Sequence, residues 1–132
     1  MKLHHSGFVV HDIDSWEKNM VYEEKIADVF DPVQNSRLAL YTNYSSSFIE
    51  LIQPVASTSY SWNSLQKKGN HFSHFCYEVE DDEELSCATS RIRMPKVLGP
   101  VPAVLFGDRT VCFYYTRNEQ LVEYLINKPS KQ

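Results

Sequence analysis

The chain is poor in the residues that punctuate or staple unusual structures. Its 132 residues include only four glycines, six prolines and three cysteines. Cys76, Cys87 and Cys112 form an odd set with no C-x-x-C pair, which argues against a disulfide scaffold or a thiolate zinc site and for reduced thiols. No apolar run approaches the roughly 20 residues that a membrane-spanning helix needs. The opening residues lack the apolar core of a secretory signal, so a cytoplasmic protein with no membrane partner is expected. Positive charge is also short. Thirteen Lys and Arg stand against seventeen Asp and Glu, a net charge of −4, and Lys67-Lys68 is the one adjacent basic pair before the tail. A nucleic-acid partner is therefore not expected. Aromatic residues are plentiful at 13%, and with glycine and proline scarce they speak for a packed core outside the last few residues.

What the chain has instead is a repeat. Leu3-His4-His5-Ser6-Gly7-Phe8-Val9-Val10-His11-Asp12 and Phe72-Ser73-His74-Phe75-Cys76-Tyr77-Glu78-Val79-Glu80-Asp81 each place a histidine early in an apolar strand and an aspartate seven residues later. A shift of 69 superposes His5 on His74, Val10 on Val79, Asp12 on Asp81 and Trp16 on Leu85. A shift of 73 superposes Phe48-Ile49-Glu50-Leu51-Ile52 on Leu121-Val122-Glu123-Tyr124-Leu125. Between these landmarks each half reads strand, helix, then three strands. Asp12 or Asp14, the latter with Glu17 as a capping box, opens a helix whose stripe is Ile13, Trp16 and Met20 and which should end near Glu24. Strands follow at 25–33, 36–44 and 48–53, with Pro32 confining the first to an edge and Ser45-Ser46-Ser47 making a turn. Ser59 or Ser61 opens a short helix through Trp62 and Leu65 that stops at Gly69. In the second half Asp81 and Glu84 cap a helix with the stripe Leu85, Ala88 and Ile92. An extended segment at 97–106 and strands at 110–116 and 121–126 complete it. The expected architecture is α+β: one domain over 1–132, with a first βαβββ module at 1–54, a connector at 55–70, a second module at 71–128 and a solvated tail at 129–132.

A carboxylate in the middle of an apolar strand costs several kcal/mol, on the order of a buried ion, unless a cation or hydrogen-bond donors compensate it. Taken singly, Glu50 or Glu123 could pair with Arg37 or Arg109. Strand alternation sends His4 and His5 to opposite faces, either of which could be the exposed one, and His71 competes with His74 while fitting the preceding loop better. The repeat weighs against four separate accidents. If the modules pack with pseudo-two-fold symmetry, His5, Glu50, His74 and Glu123 converge on one point. Two imidazoles and two carboxylates suit Zn, Ni, Co, Mn or Fe(II) and are too nitrogen-rich for calcium.

These motifs resemble the vicinal oxygen chelate superfamily, which includes glyoxalase I, extradiol dioxygenases and bleomycin-resistance proteins, and most of all its methylmalonyl-CoA epimerase-like members. His5-Ser6-Gly7-Phe8-Val9-Val10-His11-Asp12-Ile13 resembles that group's opening H-I-G/A-I-A-V-x-D-I/L. Ile49-Glu50-Leu51-Ile52-Gln53-Pro54 resembles V-E-L-x-x-P. Leu65-Gln66-Lys67-Lys68-Gly69, followed by the strand from His74, resembles L-x-K-x-G leading into H-I-A-F-E-V-D-D. Leu121-Val122-Glu123-Tyr124 resembles the closing L-I/V-E-L. The resemblance spans nearly the whole chain. It implies paired βαβββ modules forming a cup-shaped sheet around one divalent metal ion (Co, Ni, Zn, Mn or Fe), with His5, Glu50, His74 and Glu123 as ligands. It implies a metal-dependent epimerase, isomerase or glyoxalase-type lyase that removes a proton α to a carbonyl or acyl-CoA thioester through a metal-stabilised enolate. Glu123 is the first candidate for the base and Glu50 its counterpart at the opposite face. Small acyl-CoA or 2-oxo substrates and homodimers belong to the same implication.

Two other readings share the fold. An Fe(II) dioxygenase uses two histidines and one carboxylate, so the extra glutamate counts against it. A non-catalytic small-molecule binding or resistance protein would line a cup with Tyr41, Tyr44, Phe48, Phe113 and Tyr115. Glu78 shares a face with His74 in an unbroken strand and is expected at a solvated edge, and Cys76 is expected to be a small packing residue. Three departures bear on the substrate. Tyr22-Glu23-Glu24-Lys25-Ile26 replaces F-Y-x-x-L-G after the first helix, and of the glycine-rich approach to the second histidine only Gly69 remains. The turn before the last strand, Arg117-Asn118-Glu119-Gln120, lacks the glycine of D-x-x-G.

Overall fold

The computed structural model describes residues 1–130; the end of the expected tail, Lys131 and Gln132, lies outside the described residues. The elements run β1 (Lys2–Val9), α1 (Ile13–Glu17), β2 (Glu24–Asp31), β3 (Ser36–Thr42), β4 (Phe48–Pro54), α2 (Trp62–Lys68), β5 (His71–Asp81), α3 (Asp82–Arg91), β6 (Lys96–Pro102), β7 (Thr110–Tyr115) and β8 (Leu121–Lys128). This is βαβββ twice with α2 between. The chain forms two compact units. The first is His5–Ser73; the second is Met1–His4 together with the residues from His74 on.

In the first unit the strand order is β2-β3-β4-β1. β2 and β3, and β3 and β4, are antiparallel neighbours joined by short turns. β1 runs parallel to β4, as a strand must when the whole of α1, β2 and β3 intervenes. Alternation sends Val10, Ala39, Tyr41 and Leu51 to the side covered by α1, where they pack with Ile13, Trp16 and Met20. The expected stripe is therefore in place, but the helix that carries it is shorter than expected. It ends at Glu17, not near Glu24, as Asn19 and Met20 donate to the carbonyls three residues back and Glu23 donates to Thr42 at the start of the sheet. Its cap is Asp12, whose carboxylate accepts from Asp14 N at 3.0 Å. Asp14 is instead drawn outward by Arg37 at 2.9 Å. β2 is an edge strand of its unit, with a bulge between Lys25 and Ala27, and it stops before Pro32.

The second unit repeats the scheme as β5-β8-β7-β6, with β5 parallel to β8 and the other neighbours antiparallel. α3 is capped by Asp81, which accepts from Glu84 N at 2.9 Å. Its inner face covers Val79, Tyr114, Val122, Tyr124 and Ile126 through Leu85 and Ala88. Ile92 leaves the expected stripe: it sits just past the last helical turn, 56% exposed, and Met94 takes its place. β6 bends where Gly99 has φ +106 and a Cβ would stand 2.5 Å from the Val111 carbonyl oxygen. Only glycine fits so close to β7. In α2 no side chain caps the helix at Ser61, while Gly69 at φ +69 ends it as expected. Ser59 is buried, its hydroxyl accepting from Val55 N and Ala56 N. His71 belongs to β5 itself, at its first position, and not to the preceding loop.

Candidate metal centre

Strand register brings each sequence-selected histidine to one of the two glutamates. In the first unit Gly7 on β1 is opposite Glu50 on β4, so His5, two residues before Gly7, projects from the same face. His5 Nε2 lies 3.6 Å from Glu50 Oε1, and both residues are buried, His5 completely. In the second unit Cys76 on β5 is opposite Glu123 on β8, so His74 takes the equivalent place. His74 Nε2 lies 2.9 Å from Glu123 Oε1, again with both residues buried. The third strand also matches: Leu40 on β3 is opposite Glu50, and Phe113 on β7 is opposite Glu123. The shifts of 69 and 73 read from the sequence are thus one spatial arrangement built twice.

Alternation decides between neighbouring histidines. His4 leaves β1 on the other face from His5 and meets Phe106 edge-on at 4.8 Å. His71 Nδ1 donates to the Gly69 carbonyl, 2.7 Å away, and the residue is half-buried. The arginine partners considered for the glutamates are engaged elsewhere. Arg37 makes two contacts to Asp28 and one to Asp14. Arg109 binds the Phe106 carbonyl, Glu78 and Asn127. Glu78 is half-buried and pairs with Arg109 and with the exposed Lys2.

The surroundings of the second pair are apolar. Phe113 packs edge-on against the His74 ring at 5.6 Å. Cys76 is fully buried with Ala103, Val111, Phe113 and Leu125, the packing role expected of it. The five aromatics proposed to line a common cup do not share one face. Tyr41 is in the core beneath α1, donating to Glu17 Oε1 at 2.8 Å, and Tyr44 is 73% exposed. Chemically, each pair offers one imidazole and one carboxylate in a buried setting, a donor set suited to a borderline divalent ion.

Comparison with known proteins places this architecture. No curated protein matches the sequence. Among solved structures, a hypothetical protein from Bacillus halodurans C-125 is 22% identical over 99% of this chain and 97% of its own, with a TM-score of 0.80. Methylmalonyl-CoA epimerase from Mycobacterium tuberculosis is 21% identical, over 97% of this chain and 89% of its own, with a TM-score of 0.81. A Streptomyces coelicolor methylmalonyl-CoA epimerase variant in complex with 2-nitronate-propionyl-CoA is 18% identical over 96% of each chain, with a TM-score of 0.77. At such identities these likenesses establish the fold. The match that establishes the family is to a family model covering residues 4–113: the chain belongs to the Glyoxalase/Bleomycin resistance protein/Dioxygenase superfamily.

Proposed function

We propose that His5, Glu50, His74 and Glu123 together hold one divalent metal ion, and that the protein is a metal-dependent epimerase, isomerase or lyase acting next to the carbonyl of an acyl-CoA or 2-oxo compound. The observation that carries this reading is the repeated register, in which a buried glutamate faces the residue two positions beyond a buried histidine, once in each unit. Two buried carboxylates are costly without a cation, and two imidazoles complete a donor set that fits one. The family match ends at residue 113, so the assignment of Glu123 rests on this register and on the repeat.

A divalent ion bound there supplies a Lewis acid that stabilises negative charge developing on a substrate carbonyl oxygen. Glu123 takes the α-proton and returns it. Glu50 serves the opposite face of the same carbon, which is what inversion of a stereocentre requires. The wall formed by Phe113, Cys76 and Leu125 keeps water from the Glu123 carboxylate. The epimerase likeness among the structural neighbours supports a thioester substrate, and the free cysteines agree with a cytoplasmic setting.

The test is elemental analysis of the purified protein together with proton exchange in deuterated water, using methylmalonyl-CoA as trial substrate. One ion per chain, lost in His5→Ala and in His74→Ala alike, with deuterium entering the α-carbon, is the expected result. Two independent ions per chain, or none after exposure to each candidate metal, would overturn the shared site. A loaded protein that leaves the α-proton in place would overturn the chemistry for that substrate.

A further inference from the structure

The second unit carries a cleft that the proposed metal chemistry does not use. It lies between α3 and the outer face of β5 and β8, has a volume of about 730 Å³, and is lined by Tyr77, Val122 and Tyr124 on the sheet and by Ala88, Arg91 and Met94 on the helix side. Alternation along β8 puts Val122 and Tyr124 on the opposite face from Glu123, so the cleft and that glutamate are on two sides of one strand. The size is that of a small-molecule pocket, and so is the lining, mostly apolar with few polar groups.

Its floor contains a polar group without a partner. Tyr124 is 5% exposed, its ring tilted over Tyr77 at 6.3 Å and edge-on to Tyr114 at 5.8 Å. Its hydroxyl forms no hydrogen bond among the described residues, yet it is not one of the fully buried polar atoms, so it reaches solvent at the cleft floor. A tyrosine hydroxyl on a largely apolar wall can donate to a polar group that enters beside it. At the C-terminal end of α3, Arg91 presents an exposed guanidinium that enters none of the ion pairs formed among the described residues. Glu84, two helical turns before it and roughly 10 Å away along the axis, is paired with the Met1 ammonium at 2.8 Å, so among the described residues Arg91 is the unpaired charge of the cleft.

We propose that this cleft binds a small hydrophobic carboxylic acid. The aliphatic or aromatic body lies on Tyr77, Val122 and Met94, and the carboxylate accepts from the Tyr124 hydroxyl and is turned toward Arg91. The apolar walls select the body, while the donor and the cation select an anionic head over an alcohol or a cation.

Titration with octanoate, followed by amide chemical shifts and calorimetry, tests this, with 1-octanol as the uncharged comparison. Saturable binding with shifts centred on Ala88, Val122 and Tyr124 is expected, tighter for octanoate than for octanol. Tyr124→Phe, which keeps the ring packing, should weaken octanoate about tenfold, the worth of one charge-assisted hydrogen bond. Arg91→Gln should remove the preference over octanol. Chelation of metal should leave the binding unchanged, which separates this site from the catalytic proposal. The proposal is overturned by absence of saturable binding, by equal affinity in the Tyr124→Phe and Arg91→Gln variants, or by a dimer in sedimentation that closes this face and that Ala88→Trp dissociates.

Discussion

Glu50 and Glu123 illustrate how far a single residue can be read. Each is charged in a strand whose neighbours are apolar, and each is buried beside a histidine, at 3.6 and 2.9 Å. Replacing Glu123 with Gln keeps its shape but removes the basic carboxylate. Exchange of the α-proton should fall by about 10²–10⁴, with the circular dichroism spectrum unchanged, if Glu123 is the base. Loss of inversion in Glu50→Gln, with exchange of the α-proton unaffected, would assign the second face to Glu50. Gly99 is a residue of another kind, selected by space. A methyl group there would collide with the backbone of β7 at Val111 and Cys112 while φ stays at +106. Gly99→Ala should therefore destabilise the protein by about 2–4 kcal/mol, read from the urea midpoint at constant slope. Glu119 shows the reverse case: it occupies the left-handed region at φ +61 in the turn where the family resemblance leads one to look for glycine.

At the level of elements, the first unit fastens α1 to the edge of its sheet with charge. Glu17 on α1 accepts from Tyr41 on β3 and pairs with Lys25 on β2 at 3.0 Å; Lys25 also pairs with Asp28 at 2.7 Å. Arg37 on β3 grips Asp28 through two nitrogens. Its hydrogen bonds hold the Asp28 carboxyl well below the usual range, at about 2 against 3.8. A carboxyl whose folded pKa is depressed adds stability above its unfolded value and loses it as pH falls through the folded one. Asp28→Asn should thus cost about 1 kcal/mol at pH 7, scaled down because the group is partly exposed. The difference from the parent protein should shrink from pH 4 downward and vanish near pH 2, as followed by thermal melts across that range. A cost that persists unchanged at pH 2 would show that packing, not charge, is responsible. The same elements explain why α1 ends early: with Glu17 engaged by Tyr41 and Lys25, and Glu23 joined to Thr42, the chain between has been drawn into the sheet.

For the whole molecule the consequence of the proposed shared ion would be linkage. An ion that needs both units folded binds only the native state, so its binding free energy adds to the stability of both. At a free metal concentration of 100 times the dissociation constant the gain is about 2.7 kcal/mol. Saturation with the preferred metal should raise the melting temperature in a single transition, and EDTA should reverse it. Two transitions, of which the metal moves only one, would assign the ion to a single unit. No helix among the described residues is long and apolar enough to cross a membrane. Because β1 contributes its first residues to one unit and the rest to the other, a truncation before His5 should perturb both.

The sequence by itself was enough for the α+β class, the twofold βαβββ order, all eight strands and the caps at Asp81 and Gly69, because these depend on local periodicity and on residues that act on their nearest neighbours. It also singled out His5, Glu50, His74 and Glu123, since a repeated charge in an apolar strand is visible in one dimension. Tertiary structure decided the rest. The true extent of α1, the choice of Asp12 over Asp14 as cap and the replacement of Ile92 by Met94 depend on partners distant in sequence. So do the removal of Arg37 and Arg109 from the glutamates and the pairing of Glu78 with Arg109. The facing of each glutamate to the residue two beyond its histidine is a matter of strand register, which hydrogen bonding between β1 and β4, and between β5 and β8, sets across more than forty residues of chain.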